Sequence, residues 1–408
     1  MRRRTVVLAI SLCIACRTDL PTPPPSVSLD ASPSNDSSVS GYEVIDLGNL
    51  GGDYVTPTAI SDSGQIAGWS TTMTGETHAF YWERGTMYDV GPLEGPLLGQ
   101  VVNDRGQVAG RGAFGAPPTL FAWESATPSP VRAGIVRRPS EDYDSGEALA
   151  ISDSGIVLAT IERYGRSEAV LWMGDTLLSL GHLNWRLITT ASAMNHRGQV
   201  VGSSVAYESP SGGQYFHPFL WENGQMQDLG VLGRPVCTPG SYCSPAQGWA
   251  RDINDRGEVV GMSVDSNDVS RAFLWKDGVM RDLGAFPGAR TEALAINQNG
   301  QIMGRYSFSR GFFYDAGATQ DLGTLGGNTT LVVAMNDSAE IVGSSTTASG
   351  VNQAFVWRNG VMTNLGLLLD GAESSRATGI NSRGDIIGVS EVQHQPRRAI
   401  LWRKMPGP

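Results

Sequence analysis

The sequence predicts an all-β protein folded as a β-propeller of eight four-stranded blades, in which the N-terminal strand closes the last blade. Three observations predict it. One motif recurs eight times at a spacing of about 46 residues, which is within the range of propeller blades. Each copy holds short apolar strands separated by turns, and the repeat domain begins with the one strand type that the last copy lacks. A seven-bladed ring and an open superhelix are the alternatives.

The first half of each repeat is an apolar strand, a polar turn and a second apolar strand that ends in glycine. Ala59–Gly68 is the first copy, and the later copies keep its order of polar and apolar residues. Glycine adopts the left-handed backbone conformations that tight turns require, which suits a chain with 51 glycines. The turn position is occupied in the eight copies by Gly64, Gly106, Gly155, Gly198, Gly257, Gly300, Ala339 and Gly384.

The second half of each repeat is a third strand ending in an aromatic residue, a tight turn and a fourth strand. Asn223–Gly224 is such a turn, because Asn-Gly favours two-residue hairpins, and the fourth strand that follows ends as Asp228–Gly230. Copy 2 departs from the pattern, since no Asp-Leu-Gly follows its aromatic residue. We expect the third-strand aromatic residues to pack inside the protein rather than bind a ligand: Trp82, Trp123, Trp172, Trp221, Trp275, Tyr314, Trp357 and Trp402.

The two ends of the chain indicate a closed ring. The eighth copy stops after its third strand at Ile400–Trp402, whereas Tyr42–Gly48 is a fourth strand with no blade before it. Pairing these two segments would remove two exposed sheet edges. We therefore place one propeller domain at residues 42–404.

The repeat resembles the bacterial extracellular repeats named for a His-Ala-Phe (HAF) core, which stands here as His78–Phe80. The consensus Ile-Asn-Asp-x-Gly-x-Val-x-Gly matches Ile253–Gly261, and Asp-Leu-Gly-x-Leu-Gly-Gly matches Asp321–Gly327. The resemblance covers nearly all of residues 42–402. It implies an exported protein of the bacterial envelope or surface, and it supplies no catalytic motif to carry over.

The N-terminus predicts export. Three arginines precede the apolar run Val6–Ala15, which is too short to span a bilayer and is typical of a signal peptide. The run ends at Cys16, the predicted lipid attachment site, although Cys13 stands where a lipoprotein cleavage box usually has Leu. Residues 1–16 are thus predicted to be a lipoprotein signal peptide, and residues 17–41 a Pro/Ser-rich linker. The expected location is the bacterial outer membrane or cell surface, or the periplasm or medium if the cysteine is not lipidated.

The net charge indicates which kinds of partner to expect, and the cysteines indicate a disulfide. The net charge of −10 argues against nucleic acid as a binding partner, and we expect membrane contact only through the lipid anchor.

Cys237 and Cys243 are the only cysteines beyond the N-terminal segment, and in an oxidising compartment they predict a disulfide that closes a small loop. Metal-ligand spacings are missing, and the repeated Asn-Asp-x-Gly turns offer too few oxygens for calcium, so we expect no metal and no cofactor. A monomer is expected.

The ligand site is predicted on one face of the ring. The first and third connections of each repeat are short, whereas the second connection and the link to the next repeat vary in length and lie together at the opposite end of the strands. Binding residues usually lie on loops that a rigid scaffold holds. Asn184, Tyr207 and Tyr215 are candidates there. The predicted ligand-binding residues are aromatic and arginine side chains suited to sugars, peptides or acidic groups: Tyr54, Trp185, Arg186, Trp249, Arg290 and Arg376.

These features favour a non-catalytic binding or scaffold protein whose ligand is a glycan or an envelope protein. The chain contains no His-Glu-x-x-His, no Gly-x-Ser-x-Gly and no phosphate-binding loop. The alternative is a propeller enzyme, a hydrolase or lyase acting on an extracellular polymer, because a propeller can build a site from residues far apart in sequence. A passive surface or adhesion module is a third possibility.

Overall fold

The fold is described from a computed structural model of the chain. The described residues are 38–39, 41–93, 100–112, 119–126, 129–131, 145–174, 176–185, 188–208, 213–233, 246–264, 269–366, 372–392 and 395–406. Within these ranges the chain forms strands and turns, and no helix there is long and apolar enough to cross a membrane. Four predicted site residues lie outside the described residues: Cys16, Arg186, Cys237 and Cys243.

The strands form eight antiparallel four-stranded blades in a ring, as predicted. The N-terminal strands are β1 (Ser38–Val39) and β2 (Tyr42–Asp46). Blade 1 contains β3 (Gly51–Ile60), β4 (Ile66–Thr72), β5 (Thr77–Glu83) and β6 (Thr86–Pro92), and blade 2 contains β7 (Val101–Val102), β8 (Gln107–Gly112), β9 (Thr119–Ala126) and β10 (Ser129–Val131). Blade 3 contains β11 (Ser145–Ile151), β12 (Val157–Arg163), β13 (Arg166–Met173) and β14 (Thr176–Ser179). Blade 4 contains β15 (Thr189–Met194), β16 (Val200–Glu208), β17 (Gln214–Glu222) and β18 (Gln225–Asp228).

Blades 5 to 8 repeat the same meander. Blade 5 contains β19 (Gly248–Ile253), β20 (Val259–Val264), β21 (Ser270–Lys276) and β22 (Val279–Asp282), and blade 6 contains β23 (Thr291–Ile296), β24 (Ile302–Tyr306), β25 (Arg310–Asp315) and β26 (Ala318–Asp321). Blade 7 contains β27 (Gly326–Met335), β28 (Ile341–Thr347), β29 (Asn352–Arg358) and β30 (Val361–Asn364). Blade 8 contains β31 (Ala372–Ile380), β32 (Ile386–Val392) and β33 (Arg398–Lys404), to which β2 adds the fourth strand.

The first strand of each blade lies innermost in the ring. Neighbouring first strands contact one another, and β31 of blade 8 contacts β3 of blade 1, so the ring is closed. The turns after the first and third strands lie on one face, which we call the short-turn face. The connections after the second strands and the links between blades lie on the other, the long-loop face.

Among the described residues the core consists of eight apolar clusters, each shared by two neighbouring blades. The third-strand tryptophans belong to these clusters, and even the most exposed of them, Trp172, Trp221 and Trp275, are only 7% exposed. Their predicted packing role is confirmed. Because each cluster joins two blades, the hydrophobic burial that stabilises one blade depends on its neighbour.

The predicted closure of the last blade is confirmed. Strand β2 pairs with β33 from Tyr42 opposite Lys404 to Asp46 opposite Ile400. Tyr42 is fully buried, and its hydroxyl is hydrogen-bonded to Arg358 of blade 7, so the N-terminal strand also fills the space between blades 7 and 8. Burial raises the pKa of Tyr42. Ser38 and Val39, within the predicted linker, extend this sheet by pairing with β2.

Local turn chemistry also follows the sequence. Asn223 and Gly224 have φ values of 51° and 81°, the left-handed conformations of a two-residue hairpin turn. In copy 2, where the fourth strand was least evident, Ser129–Val131 pairs with β9 and completes the blade. The longer second connection of copy 4 is partly taken up by longer strands, since β16 and β17 have nine residues each.

Candidate functional site

Six of the eight turns after a first strand hold an Asn side chain that links neighbouring blades. In blade 5, Asn254 Oδ1 accepts bonds from two backbone N–H groups of its own turn, and its Nδ2 donates to the carbonyl of Asn297 in blade 6 at 3.2 Å. Asn381 of blade 8 donates likewise to the carbonyl of Ser61 in blade 1 at 3.0 Å. These bonds give the repeated Asn a structural role. The same inter-blade bond is made by Asn103, Asn195, Asn297 and Asn336.

Two clefts, of about 380 and 230 Å³, lie on the short-turn face. The larger lies between blades 8 and 1, where Arg383 pairs with Asp385 at 3.0 Å. The smaller is lined by the turns of blades 1 to 4, where Asp104 Oδ1 accepts a bond from the Ser63 N–H at 2.8 Å. In each cleft, polar groups therefore take part in bonds that hold the turns and the ring.

The His of the His-Ala-Phe motif pairs with the Asp that begins Asp-Leu-Gly. His217 Nδ1 lies 2.9 Å from Asp228 Oδ2, and the Gly230 N–H donates to Asp228 Oδ1 at 2.8 Å. Burial alone would raise the pKa of Asp228, but these bonds bring it below its usual value. The motif thus joins the third and fourth strands of a blade. The equivalent pairs in three other blades are His78 with Asp89, Arg310 with Asp321, and Arg398 with Asp46.

Two predicted site residues, Tyr54 and Arg376, belong to one cluster on the long-loop side of the seam between blades 8 and 1. Tyr54 is 56% exposed, and the guanidinium carbon of Arg397 lies 5.8 Å from the centre of its ring. Arg397 Nη2 and Arg376 Nη1 both bond to Glu391 Oε1, at 2.8 and 3.2 Å. Burial, and next the charge of Arg397, lower the pKa of Arg376. We call these four residues the seam cluster.

A second set of predicted residues lies on the opposite side of the ring, at blades 4 and 5. Trp185, in the link between blades 3 and 4, is 71% exposed. Tyr207 and Tyr215 lie opposite each other on β16 and β17, with ring centres 6.0 Å apart. Trp249 of blade 5 stacks with Phe216 of blade 4, with ring centres 6.4 Å apart and planes 26° apart. We call these five residues the aromatic group.

Trp249 and Arg376 occupy the same position of the repeat, five residues before the turn Asn on the innermost strand. Leu331, the equivalent residue of blade 7, is 50% exposed while its neighbour Thr330 is 1% exposed, which indicates that this position faces the ring axis. Some residues at this position contact a neighbouring blade. In the described blades the position holds seven residues of five kinds. They are Thr56, Glu147, Thr190, Trp249, Glu292, Leu331 and Arg376.

The remaining predicted residue, Arg290, is exposed just before β23 of blade 6 and belongs to neither cluster. Two residues further on, Glu292 is buried and lies 2.7 Å from both Arg251 Nε and Arg305 Nε. A carboxylate paired in this way stabilises the contact between blades 5 and 6. Burial raises the pKa of another inner-strand acid, Glu147, and the charge of Arg111 opposes that effect.

Sequence reasoning missed three residues of these clusters: Arg397, Glu391 and Phe216. A signal for two of them was present. The residue that precedes the His position of the motif is Thr, Ser or Asn in five copies, as in Thr77 and Ser270, but it is Phe216 in copy 4 and Arg397 in copy 8. A position-by-position comparison of the copies would therefore have marked both.

The chemistry available on the long-loop face is stacking and charge pairing. Among the described residues, no three His, Cys, Asp or Glu side chains are grouped so that they could hold a metal ion. The seam cluster combines an aromatic ring with two guanidinium groups that share one carboxylate oxygen. The aromatic group offers two exposed rings, Trp185 and Tyr207, and three half-buried ones at the other side of the ring axis.

Comparison with protein-family profiles finds no match, and comparison with curated proteins finds none either. Solved structures do match. The β-propeller domain of the Trilobed protease from Pyrococcus furiosus, which has an open velcro topology, is 10% identical, with a TM-score of 0.50 over 77% of this chain and 97% of that domain. A prolyl endopeptidase is 11% identical, with a TM-score of 0.51, and the Pyrococcus horikoshii acylaminoacyl peptidase is 11% identical, with a TM-score of 0.48.

The match with the prolyl endopeptidase covers 83% of this chain but only 55% of that protein. The match with the acylaminoacyl peptidase covers 84% of this chain and 58% of that protein. The chain therefore spans little more than half the length of these peptidases. At such low identity the likeness concerns the fold alone. The chain is an eight-bladed β-propeller similar in architecture to the propeller domain of a protease.

Proposed function

We propose that the protein is a non-catalytic binding protein of the bacterial envelope, which holds a glycan or a protein on its long-loop face. The observation that carries this proposal is the aromatic group, in which Trp185 and Tyr207 are exposed and the other three rings are half-buried on a rigid blade scaffold. Exposed aromatic side chains offer large contact areas at low conformational cost, which suits sugar rings and peptide side chains. The group also lies where the sequence varies most between repeats.

The inner-strand position that faces the ring axis supports the same proposal. In a repeat protein, residues that pack between blades are kept alike by the packing itself. The axis-facing position holds five kinds of residue in seven blades; Trp249, Leu331 and Arg376 keep accessible surface, whereas Thr56 and Glu292 are buried. Such variety gives the mouth of the ring a chemically distinct surface on each side, as recognition of one particular ligand requires.

The location is part of the proposal. The apolar N-terminal run and Cys16 favour export and lipid attachment, and the His-Ala-Phe repeats favour membership of the bacterial extracellular repeat family. Metabolic labelling with an azide-tagged palmitate analogue tests the anchor: wild type should be labelled and Cys16→Ser should not. Equal labelling of both would contradict lipid attachment at this residue.

The binding function is tested with the full chain on a panel of bacterial and environmental polysaccharides. We expect at least one polymer to bind, and the double variant Trp185→Ala/Trp249→Ala to lose that binding. Phe308→Ala is the matched control, because it removes a 69% exposed aromatic side chain of blade 6 outside the aromatic group. Chromatography of the bound polymer checks for cleavage. Shortened chains would favour the polymer-degrading enzyme over a binding protein.

If no glycan binds, a protein ligand is tested by cross-linking in the intact envelope and capture with wild type and the double variant. Partners captured equally by both would contradict a ligand site at the aromatic group. A matched thermal unfolding measurement is needed for the double variant, since Trp249 is partly buried against Phe216.

A further inference from the structure

We propose that the seam cluster is a second ligand subsite, which binds the carboxylate and the ring face of a uronic acid unit in an acidic polysaccharide. The cluster joins residues from both ends of the chain: Tyr54 of blade 1, and Arg376, Glu391 and Arg397 of blade 8. The inference deepens the proposed function, because it names a ligand class for the long-loop face. It concerns blades 8 and 1, whereas the aromatic group lies at blades 4 and 5.

The first argument is charge. Two guanidinium groups, those of Arg376 and Arg397, bond to the same oxygen of one carboxylate, while Glu391 Oε2 accepts a bond from Ser374 at 3.3 Å. The cluster therefore carries one positive charge in excess on a chain whose net charge is −10. Burial and the nearby Arg397 charge lower the pKa of Arg376, so a further anion at this point would relieve a repulsion that is already present.

The second argument is donor capacity. A guanidinium has five N–H donors in a fixed fork that matches a carboxylate. Arg397 uses Nη2 for Glu391 and Nη1 for Thr56 Oγ1 at 3.2 Å, whereas Arg376 bonds to Glu391 through Nη1. The Arg376 side chain is 43% exposed. The cluster thus keeps N–H donors and accessible surface for an incoming carboxylate.

The third argument is the position of the ring. The Arg397 guanidinium contacts the ring of Tyr54, and more than half of the tyrosine is exposed to solvent. A ligand that uses both features needs a flat face and a carboxylate a few ångströms apart, as in a pyranose that carries its carboxylate on the ring. One excess positive charge also matches a monoanionic carboxylate better than a dianionic phosphate.

The position of the cluster is held from the backbone. The Arg397 N–H donates to the carbonyl of Asp53 at 2.7 Å, directly before Tyr54, and the Tyr54 N–H donates to Thr71 Oγ1 at 3.0 Å. The arginine and the tyrosine are therefore positioned by bonds that do not involve their charged or aromatic groups. A site positioned in advance loses little side-chain entropy when a ligand binds.

The test is calorimetric titration of the full chain with tetragalacturonic acid, with alginate oligomers, and with the methyl ester of tetragalacturonic acid as the neutral control. We expect at least one acid oligomer to bind and the ester to bind about tenfold more weakly or worse, since a charge-assisted hydrogen bond is lost. Arg376→Ala and Tyr54→Ala should each raise the Kd of the acid about tenfold or more. Tyr54→Phe, which keeps the ring, should bind like wild type.

Arg403→Ala is the matched control, because it removes from β33 an arginine about as exposed as Arg376, at about 20 Å from Arg397 along the chain. Its Kd should stay at the wild-type value. Equal binding of acid and ester, unchanged binding by Arg376→Ala, or no binding of any uronate oligomer would each overturn the proposal. Binding only to a peptide with a free terminal carboxylate would overturn it in favour of a peptide site. Loss of glycan binding only in Trp185→Ala/Trp249→Ala would leave the proposed function standing and refute the seam subsite.

Discussion

Asn381 of blade 8 donates a hydrogen bond to the backbone carbonyl of Ser61 in blade 1 at 3.0 Å, although 320 residues separate the two. The bond belongs to the series that links the short turns of neighbouring blades, and this member spans the point where the ring closes. Strand β2 closes the same blade at its outer edge by pairing with β33. The first and last parts of the propeller are therefore joined at the inner and the outer side of blade 8.

We expect Asn381→Ala to lower the free energy of unfolding by about 1–3 kcal/mol, because it removes the bond to the Ser61 carbonyl and leaves the Asp385 N–H without its partner. Ser382→Ala, an exposed change in the same turn, should lower it by less than about 0.5 kcal/mol. Urea unfolding followed by tryptophan fluorescence measures both. If the two variants were equally stable, the inter-blade bond would not contribute to closing the ring.

The His–Asp pair of the repeat can be tested with a substitution that the chain itself makes elsewhere. Blades 6 and 8 use Arg310 and Arg398 where blade 4 has His217. We expect His217→Arg to keep the pair with Asp228 and the stability of wild type, and His217→Ala to lower the free energy of unfolding by about 0.5–1 kcal/mol, as for a partly exposed pair. Thermal unfolding at neutral pH compares them. The idea fails if the arginine variant is as unstable as the alanine variant.

Asp252 predicts a pH dependence of stability. Burial raises its pKa to about 6, opposed by bonds to its carboxylate from the N–H groups of Ile296 and Ile253, both 2.9 Å long. The folded pKa lies above the unfolded value near 4, so the folded chain binds the proton more tightly. The Asp252 carboxyl therefore stabilises the fold by up to roughly 3 kcal/mol below about pH 4, and this stabilisation is lost as the pH rises through 6.

Asp252→Ala should abolish that loss, because alanine cannot titrate and is the residue at this position in Ala150 and Ala295. The measurement is the free energy of unfolding at pH 4.5 and 7.5 for both proteins. All other acids titrate alike in the two, so the difference between their pH changes isolates this carboxyl. The same change in wild type and variant would show that Asp252 has an ordinary pKa.

Ala339 is a strained residue that one substitution should relieve. Its φ is 57°, and it stands where the other seven copies have glycine. The left-handed conformation costs a non-glycine residue about 1–2 kcal/mol, partly offset by the lower entropy of alanine in the unfolded chain. We expect Ala339→Gly to raise the free energy of unfolding by about 0.5–1 kcal/mol.

Ala318→Gly is the control for this prediction, because it makes the same change at an exposed strand residue without positive φ. It should lower the free energy of unfolding by about 0.5–1 kcal/mol, so the two variants should shift stability in opposite directions. Destabilisation by both substitutions would mean that the turn of blade 7 carries no such strain.

The sequence predicted the blades and the closure because both depend on short-range patterns. A strand, a turn with Asn-Gly and an aromatic third strand follow from side-chain alternation and turn chemistry within some ten residues, and Tyr42–Gly48 could be recognised as a surplus fourth strand by comparison with the other copies. The burial of Trp402 followed in the same way, since every copy places a large apolar side chain at that point.

Only the tertiary structure decided which side chains meet. Arg397 bonds to Thr56 at 3.2 Å across 341 residues, and with Tyr54, Arg376 and Glu391 it forms one cluster, a meeting that no local pattern indicates. Trp185 and Trp249 were predicted on the same face as Tyr54, but the ring places them on the opposite side of its axis. The physical reason is that a repeat sets the geometry within a blade, whereas contacts between blades depend on how all eight pack into a closed ring.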